Sequence, residues 1–413
     1  MLIVPLSVSR IARVIEIRIP RCKLNHVNLS WGLIFRETDV ERYFATVAPG
    51  LEAIAAEELT QLGAQSVQTR FSGVAFEGDR RLLYRVNLWG RTLFRVLVPL
   101  TEFPCTSAKQ LYQEVRSLPW EKYLTPEDSL AVDCTGKNRA LNHSHFSALQ
   151  VKNAIVDQQR QQFSCRSSVD LETPDLRINL HIHRDRASLS LDSSGSSLHR
   201  RGYRAAVGTA PLKETLAAAI LKLARYSPEL PFLDPLCGSG TLPLEAALQA
   251  ANIAPGLFRD RFGFENWPDF DAALWQDLKE DAQAARQATC PAYIGGSDID
   301  PEILEQAHHN ASAAGVSQQI EFRCQDIRDI EAPSDRGLLI CNPPYGERLG
   351  DVQDLRSFYR LLGDVFKQRF KGWTAYVFTG NRELAKEVGL RPARRIPLSS
   401  GGLDCRLLEF ELY

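Results

Sequence analysis

Hydrophobic and polar positions along this chain follow two rhythms. From Tyr43, a short strand-like run ends at Pro49-Gly50. Leu51, Ile54, Ala55, Glu58, Leu59 and Leu62 then recur at helical spacing, and Gly63 closes that helix. Strand-like text over 66–78, a helix around 79–90 and a strand at 92–98 complete a β-α-β-β-α-β pattern, a small α+β unit. A second unit starts near Ser107. Leu111, Val115 and Leu118 mark a helix, 129–135 a strand and 146–161 a helix, and 177–183 with 187–192 form a hairpin. Ser193-Ser-Gly-Ser-Ser197 reads as a polar, flexible joint and a domain boundary. Beyond it, helices at 212–224, 241–251, 301–314 and 353–368 alternate with short apolar strands. Those strands fall at 231–234, 292–296, 320–324, 337–341 and 374–379. Such alternation predicts a parallel, doubly wound sheet with helices on both faces. The last two strands, 394–397 and 406–412, flank Gly401-Gly402, so a hairpin should set the final strand antiparallel at the sheet edge.

Composition narrows the class. At 413 residues two or three domains are expected. With 44% hydrophobic and 24% charged residues, wholesale disorder is excluded, and 26 glycines and 22 prolines exclude a fibre. No apolar run reaches the ~18 residues a membrane span needs. Nine cysteines, an odd number without C-x-x-C pairs, argue for a reducing cytoplasm and against disulfide or zinc frameworks. The H-x-H pairs His143/His145 and His181/His183 read as ordinary surface or strand histidines, so no metal is expected. Net charge is −1, which hides a division. Residues 1–207 hold 27 basic against 21 acidic groups, or +6, and residues 208–413 hold 22 against 29, or −7. Three of the six positive charges belong to residues 1–40.

Four stations stand at strand C-terminal ends, where open α/β sheets hold ligands. The first is Asp234-Pro-Leu-Cys-Gly238-Ser-Gly240-Thr241, a glycine turn leading into a helix. Its glycines admit a ligand close to the backbone, and the helix start offers free N–H groups. No Lys follows Gly240, which excludes a phosphate P-loop, and Asp234 suits a cationic centre and ribose hydroxyls better than a pyrophosphate. The second station is Asp298, which suits two ribose hydroxyls, with Asp300-Pro301 capping the next helix. Asp326 is the third, where a carboxylate could accept from an adenine amino group. Asn342-Pro343-Pro344-Tyr345 is the fourth. A purine exocyclic amine is a weak nucleophile because its lone pair is delocalised. The Asn342 side-chain oxygen and the Pro343 carbonyl can accept from that NH2, favour a pyramidal nitrogen and free the lone pair for in-line attack on a methyl group. The prolines stiffen the loop, and Tyr345 can stack on the base.

With these motifs the chain resembles THUMP-domain S-adenosylmethionine-dependent RNA guanine-N2 methyltransferases, most of all the bacterial 23S ribosomal RNA members. The resemblance runs from about residue 42 to 413. It is carried by YFATVAPGLE at 43–52, LHRRGYR at 198–204, APLKETLAAAIL at 210–221, DPLCGSGTLPLEAA at 234–247, GSDIDP at 296–301 and CNPPYGERLG at 341–350. It implies a ferredoxin-like unit at 42–106, an RNA-engaging THUMP unit at 107–195 and, at 196–413, a Rossmann-like class I methyltransferase domain. That domain would have a seven-stranded, mostly parallel sheet with an antiparallel C-terminal edge strand. The resemblance implies S-adenosyl-L-methionine as cofactor, with Asp234, Gly238 and Gly240 along its methionine part, Asp298 at the ribose and Asp326 at the adenine. Asn342, Pro343 and Tyr345 would serve the target amine. RNA is the implied partner, ribosomal first and tRNA second.

Two departures stand out. A simple Rossmann unit places its ribose acid about 20 residues past the glycines, whereas 58 separate Gly240 from Asp298 here. The excess holds Phe262-Gly-Phe-Glu-Asn-Trp267 and Leu274-Trp275, read as structural cover near the pocket. Some relatives continue into another methyltransferase domain, whereas this chain ends at Tyr413, so a second activity is not expected. Residues 1–41 match no known pattern, and are read as a disordered extension, an organelle transit peptide or a product of start-site choice. Arg177, Arg184, Arg186, Arg200, Arg201 and Arg204 cluster around few acids. Of these, Arg184, Arg186, Arg200, Arg201 and Arg204 are candidate RNA contacts, with Tyr203 beside them. Trp89, Trp120, Trp267 and Trp275 are assigned to the core. A DNA adenine-N6 methyltransferase and a non-catalytic RNA-binding factor are the competing classes. The THUMP-like front opposes the first, and the intact Asn342 and glycine turn oppose the second.

Overall fold

Alternation over Glu41–Thr46 becomes β1, which turns Tyr43 and Ala45 inward and Arg42 and Phe44 outward, in a computed structural model that describes residues 40–204, 212–345 and 352–413. Helix α1 (Glu52–Gln61) follows, then β2 (Gln65–Arg70) and β3 (Gly73–Gly78). The single strand-like stretch at 66–78 is thus a hairpin, broken where Ser72 takes a φ of +54°. Asp79 caps α2 (Arg80–Trp89) by accepting from the Leu82 N–H. The next strand, β4 (Arg95–Pro104), runs six residues past its predicted end. After it come α3 (Ala108–Arg116), β5 (Ser129–Lys137), α4 (Ser144–Phe163), β6 (Ser168–Val169), β7 (Leu176–His183) and β8 (Arg186–Asp192).

The length of β4 has a topological result. Its first residues pair with β1 and its whole remainder with β8, so both front units share one eight-stranded sheet, β2-β3-β1-β4-β8-β7-β5-β6. Pro99 has no N–H for the ladder, and the register shifts between Pro99 and Thr101.

The back of the chain holds α5 (Glu214–Leu223), β9 (Phe232–Asp234), α6 (Thr241–Ala250), α7 (Ala272–Ala284), β10 (Ile294–Asp298), α8 (Pro301–Ala313) and β11 (Glu321–Cys324). It continues through β12 (Leu338–Cys341), α9 (Val352–Arg369), β13 (Thr374–Thr379), α10 (Arg382–Glu387), β14 (Arg394–Ser400) and β15 (Leu403–Glu411). Seven strands lie in the order β11-β10-β9-β12-β13-β15-β14, the first five parallel and the hairpin antiparallel. The final strand is not at the edge: β15 sits between β13 and β14. Side chains explain the choice. Strand β15 buries Cys405, Leu407, Leu408 and Phe410, whereas β14 exposes Arg395 and Pro397, residues that suit an unpaired edge.

Two other expectations change. Ser193 and Ser194 are fully buried, not a flexible joint. Ser193 Oγ donates to the Val96 carbonyl (2.7 Å), the Val96 N–H donates to Ser194 Oγ (2.9 Å), and Ser194 Oγ donates to Asn87 Oδ1 (2.7 Å). The hydroxyls read as solvent-seeking are hydrogen-bonded inside. The aromatic insertion likewise does not cover the pocket. Phe262, Phe264, Trp267 and Trp275 join the front core, with Phe264 stacked on Tyr84 of α2 at 4.2 Å between ring centroids. Trp120 is buried there too, and Trp89 packs against it partly exposed. No helix among the described residues is long and apolar enough to cross a membrane.

Candidate active site

Strand order reverses at β9: the chain steps outward to β10 and β11, then returns to lay β12 on the opposite side of β9. A crevice beyond the strand ends is the physical consequence. Asp234 ends β9, Asp298 ends β10, Asp326 follows β11 by two residues, and Asn342 follows β12 directly. The fold therefore brings all four stations to one edge.

The glycine turn is tied to β10. Cys237 N–H donates to the Ser297 carbonyl (2.9 Å) and Gly238 N–H to Asp298 Oδ2 (2.9 Å), while Gly240 N–H closes the turn on the Cys237 carbonyl (2.9 Å). Gly238 and Gly240 hold φ of +52° and +83°, a region that disfavours other residues. Their surroundings differ. A Cβ at Gly240 would lie 3.0–3.1 Å from Leu244, Ala307 and Phe322, whereas at Gly238 the nearest atom is Ile303 Cδ1 at 3.6 Å. Gly240 thus serves packing, and Gly238 leaves an open approach to the backbone.

Asp234 is 2% exposed, and its carboxylate accepts from the Leu236 N–H at 3.1 Å. Burial, reinforced by the Asp298 charge, pushes its pKa well above the usual carboxylate range, and no cation among the described residues offsets it. A site of this kind gains from a cationic ligand. Asp298 accepts one backbone N–H on each oxygen, Gly238 on Oδ2 and Asp300 on Oδ1 (3.1 Å), which leaves further lone pairs for hydroxyl donors. Asp300 caps α8 as expected, accepting from the Glu302 N–H at 2.9 Å. Asp326 is engaged by Arg328, whose Nε and Nη2 donate to its two oxygens at 3.0 and 2.6 Å. That side chain, with the Arg328 backbone N–H, holds the Asp326 pKa below its ordinary value.

At the fourth station Asn342 Oδ1 is buried without a hydrogen-bond partner among the described residues. An orphan acceptor of this kind is costly unless a ligand donor completes it. Tyr345 is half-buried, edge-on to Phe378 (6.3 Å between centroids), with its hydroxyl 3.8 Å from Cys405 Sγ. Burial raises its phenol pKa, so the ring stays neutral. Residues 346–350 of the same motif and 210–211 of APLKETLAAAIL lie outside the described residues, as do residues 1–39 of the extension.

Sequence reasoning missed Ile299, which lies between Asp298 and Asp300 and is 66% exposed. An apolar side chain that open, beside a ribose-type acid, offers a face for a purine. Its signal was a lone isoleucine within an otherwise polar turn.

The basic cluster divides. Arg201 is 2% exposed, donating from Nε and Nη2 to the two oxygens of Glu245 at 2.8 and 3.0 Å, and to the Arg91 carbonyl at 2.8 Å. Tyr203 is buried beside it and donates to Glu245 Oε1 at 2.9 Å. Neither reaches solvent, so the expectation of RNA contact by Arg201 is withdrawn. Arg204 binds Glu214 and the Thr241 hydroxyl, and Arg177 binds Asp133. Arg184, Arg186 and Arg200 remain exposed, Arg186 in an ion pair with Glu102. Among the described residues no group of three or more His, Cys, Asp or Glu comes together to hold a metal.

Known proteins match this architecture along its length. Residues 201–409 match the RMKL-like methyltransferase domain family, 105–192 the THUMP domain and 42–97 the RlmL ferredoxin-like domain. A Synechocystis sp. protein, slr0064, whose name proposes an RNA methyltransferase, is 56% identical over 371 residues, covering 90% of this chain and 97% of its own. Ribosomal RNA large subunit methyltransferase K/L of Syntrophotalea carbinolica is 46% identical over 383 residues, 90% of this chain but 53% of its own. The chain thus spans about half the length of that relative. The crystal structure of SMU.472 complexed with SAH superposes with a TM-score of 0.80 at 30% identity, covering 92% of this chain and 99% of that one. The chain belongs to the RMKL-like methyltransferase family, with RlmL ferredoxin-like and THUMP domains preceding the methyltransferase domain.

Proposed function

We propose that this protein transfers a methyl group from S-adenosylmethionine to the exocyclic N2 amine of a guanine in RNA, with large-subunit ribosomal RNA as the substrate. The observation that carries the reading is Asn342 Oδ1, buried at the switch point of the sheet without a hydrogen-bond partner among the described residues. Bound in the crevice, S-adenosylmethionine supplies an electrophilic methyl group. Asp234 provides the negative charge that a sulfonium and ammonium need, Gly238 the open backbone along the methionine part, and Asp298 the acceptors for ribose hydroxyls. Asp326 accepts from the adenine amine while retaining Arg328, and Ile299 covers a purine face. Asn342 Oδ1 and the Pro343 carbonyl accept from the target NH2 and direct its lone pair outward. Tyr345, seated on Phe378, stacks on the guanine once it leaves its helix. Arg184, Arg186 and Arg200 are the remaining candidates for phosphate contacts.

Ribosomal RNA is favoured over tRNA by the K/L relative, and RNA over DNA by the THUMP match at 105–192. Nucleoside mass spectrometry on fractionated RNA from a deletion strain tests it. Loss of N2-methylguanosine from large-subunit rRNA supports the reading, loss from tRNA alone moves the substrate, and unchanged N2-methylguanosine in both overturns it.

A further inference from the structure

Among the described residues, the first three strands of the large sheet have one face that the helices do not cover. Tyr43, Ala45, Val74 and Phe76 turn into the core beneath α1 and α2, while Arg42, Phe44, Ala75 and Glu77 turn the other way. Across that outer side lies a hollow of about 240 Å³ whose lining includes Arg42, Gln68, Arg70, Ala75 and Glu77. At its corner Phe71 is 90% exposed. This exposure does not come from a loose turn. Ser72 N–H donates to Glu52 Oε1 at 3.1 Å, and the Ser72 carbonyl accepts from the Val47 N–H at 3.1 Å. A second ring lies alongside. A Cβ at Gly73 would fall 2.2 Å from Phe44 Cζ, so the missing side chain there is what lets Phe44 lie across β3 next to the Phe71 turn.

We propose that this corner is a single-stranded RNA platform, in which bases stack on Phe71 and Phe44 and Arg70 holds the adjoining phosphate. The choice of RNA as partner rests on the function proposed above. Chemistry favours it over a protein partner. Phe71 lies between Arg70 and Ser72 in the chain, and the hollow is lined by Arg42, Ser66, Gln68, Arg70 and Glu77 among Tyr43, Ala75 and Phe76, a mixed surface rather than the contiguous apolar patch of a protein interface. Aromatic rings flanked by cations are what stacked, backbone-tracking binding requires. Arg70 donates to Gln68 Oε1 at 2.6 Å and has no ion pair among the described residues. Glu77, the one acid lining the hollow, is paired with Arg42 at 3.2 Å. Position supports it too. A Cβ at Gly50, in the loop that follows Val47, would lie 3.2 Å from the Pro397 carbonyl of β14. That strand leads into the hairpin whose Cys405 touches Tyr345. RNA laid across the corner thus runs toward the catalytic end of the second sheet.

The test is the affinity of the full chain for a short fluorescein-labelled oligouridylate, read by anisotropy across a salt series. Phe71→Ala is expected to weaken binding about tenfold, the loss of one stacked base. Arg70→Gln should weaken it and lower the salt slope by a little under one. Tyr413→Ala, an equally exposed aromatic at the far terminus (97% exposed), should change nothing. Retained SAH affinity and melting temperature in Phe71→Ala verify the fold. RNA affinity unchanged by Phe71→Ala overturns the platform, as does an oligouridylate that the wild type does not bind. A concentration-dependent dimer abolished by Phe71→Ala, with RNA affinity intact, overturns it in favour of self-association. Nucleoside analysis is separate: a Phe71-dependent RNA complex in a protein that makes no N2-methylguanosine sinks the proposed reaction and leaves the platform standing.

Discussion

Asn342 and Asp234 make opposite demands on their surroundings, and each yields a measurable consequence. Asn342 keeps a buried acceptor without a partner among the described residues, a cost that, on the proposed reading, is recovered when the target amine arrives. Asn342→Ala should therefore lower kcat by more than tenfold, above about 1.4 kcal/mol of transition-state stabilisation, and leave SAH affinity unchanged by calorimetry. Turnover retained within that limit removes the role given to this side chain. Asp234 is a buried acid whose pKa is raised by desolvation first and by the Asp298 charge second. In the unfolded chain it ionises near pH 3.9. Above that pH unfolding releases a proton, so the raised group lowers stability as pH climbs toward its native value. Asp234→Asn retains an acceptor for the Leu236 N–H and removes the charge. The ligand-free variant should melt above the wild type at pH 8, the gap should close as pH falls toward 4, and SAH should bind more weakly. A variant that melts below the wild type at pH 8 contradicts this account. Both residues were legible from sequence because their stations follow short apolar strands. Arg328 on Asp326 and the burial of Arg201 were not, because each depends on partners that residue type does not reveal.

Most strands and helices follow from periodicity, since local patterning fixes which face of each is apolar. Side-by-side placement is a different matter. The order of β14 and β15, the extension of β4 into the neighbouring unit and the docking of the insertion on α2 depend on surfaces distant in sequence. The serine run shows the same limit: its composition is that of a linker, but its hydroxyls meet Val96 and Asn87. The insertion gives the sharpest test. Phe264 is fully buried, stacked on Tyr84 and edge-on to Trp275 at 5.1 Å. Phe264→Ala should cost about 3–5 kcal/mol in urea unfolding, with SAH affinity retained at low denaturant. The reverse pattern, lost SAH affinity at unchanged stability, would return the insertion to the pocket.

For the whole molecule, a net charge of −1 argues against a polyanion partner only while charge is treated as uniform. The division into +6 and −7 revises that, and ion pairing revises it again. Arg177, Arg201 and Arg204 hold Asp133, Glu245 and Glu214, so half of the cluster at 177–204 serves the fold. On the proposed reading, RNA attraction then rests on a few exposed groups, among them Arg184, Arg186 and Arg200. Each phosphate contact on a single strand contributes about 0.7 to the slope of log K against log salt. Replacing those three by alanine should flatten the slope by about 2, with the melting temperature preserved. Arg201→Ala should do the converse. It strands Glu245 in the interior at a cost of about 3–5 kcal/mol, while the slope measured on the surviving folded protein stays that of the wild type. If Arg201→Ala flattens the slope and leaves stability intact, the buried pair with Glu245 is not what holds this arginine, and the division of the cluster into structural and RNA-facing arginines fails with it.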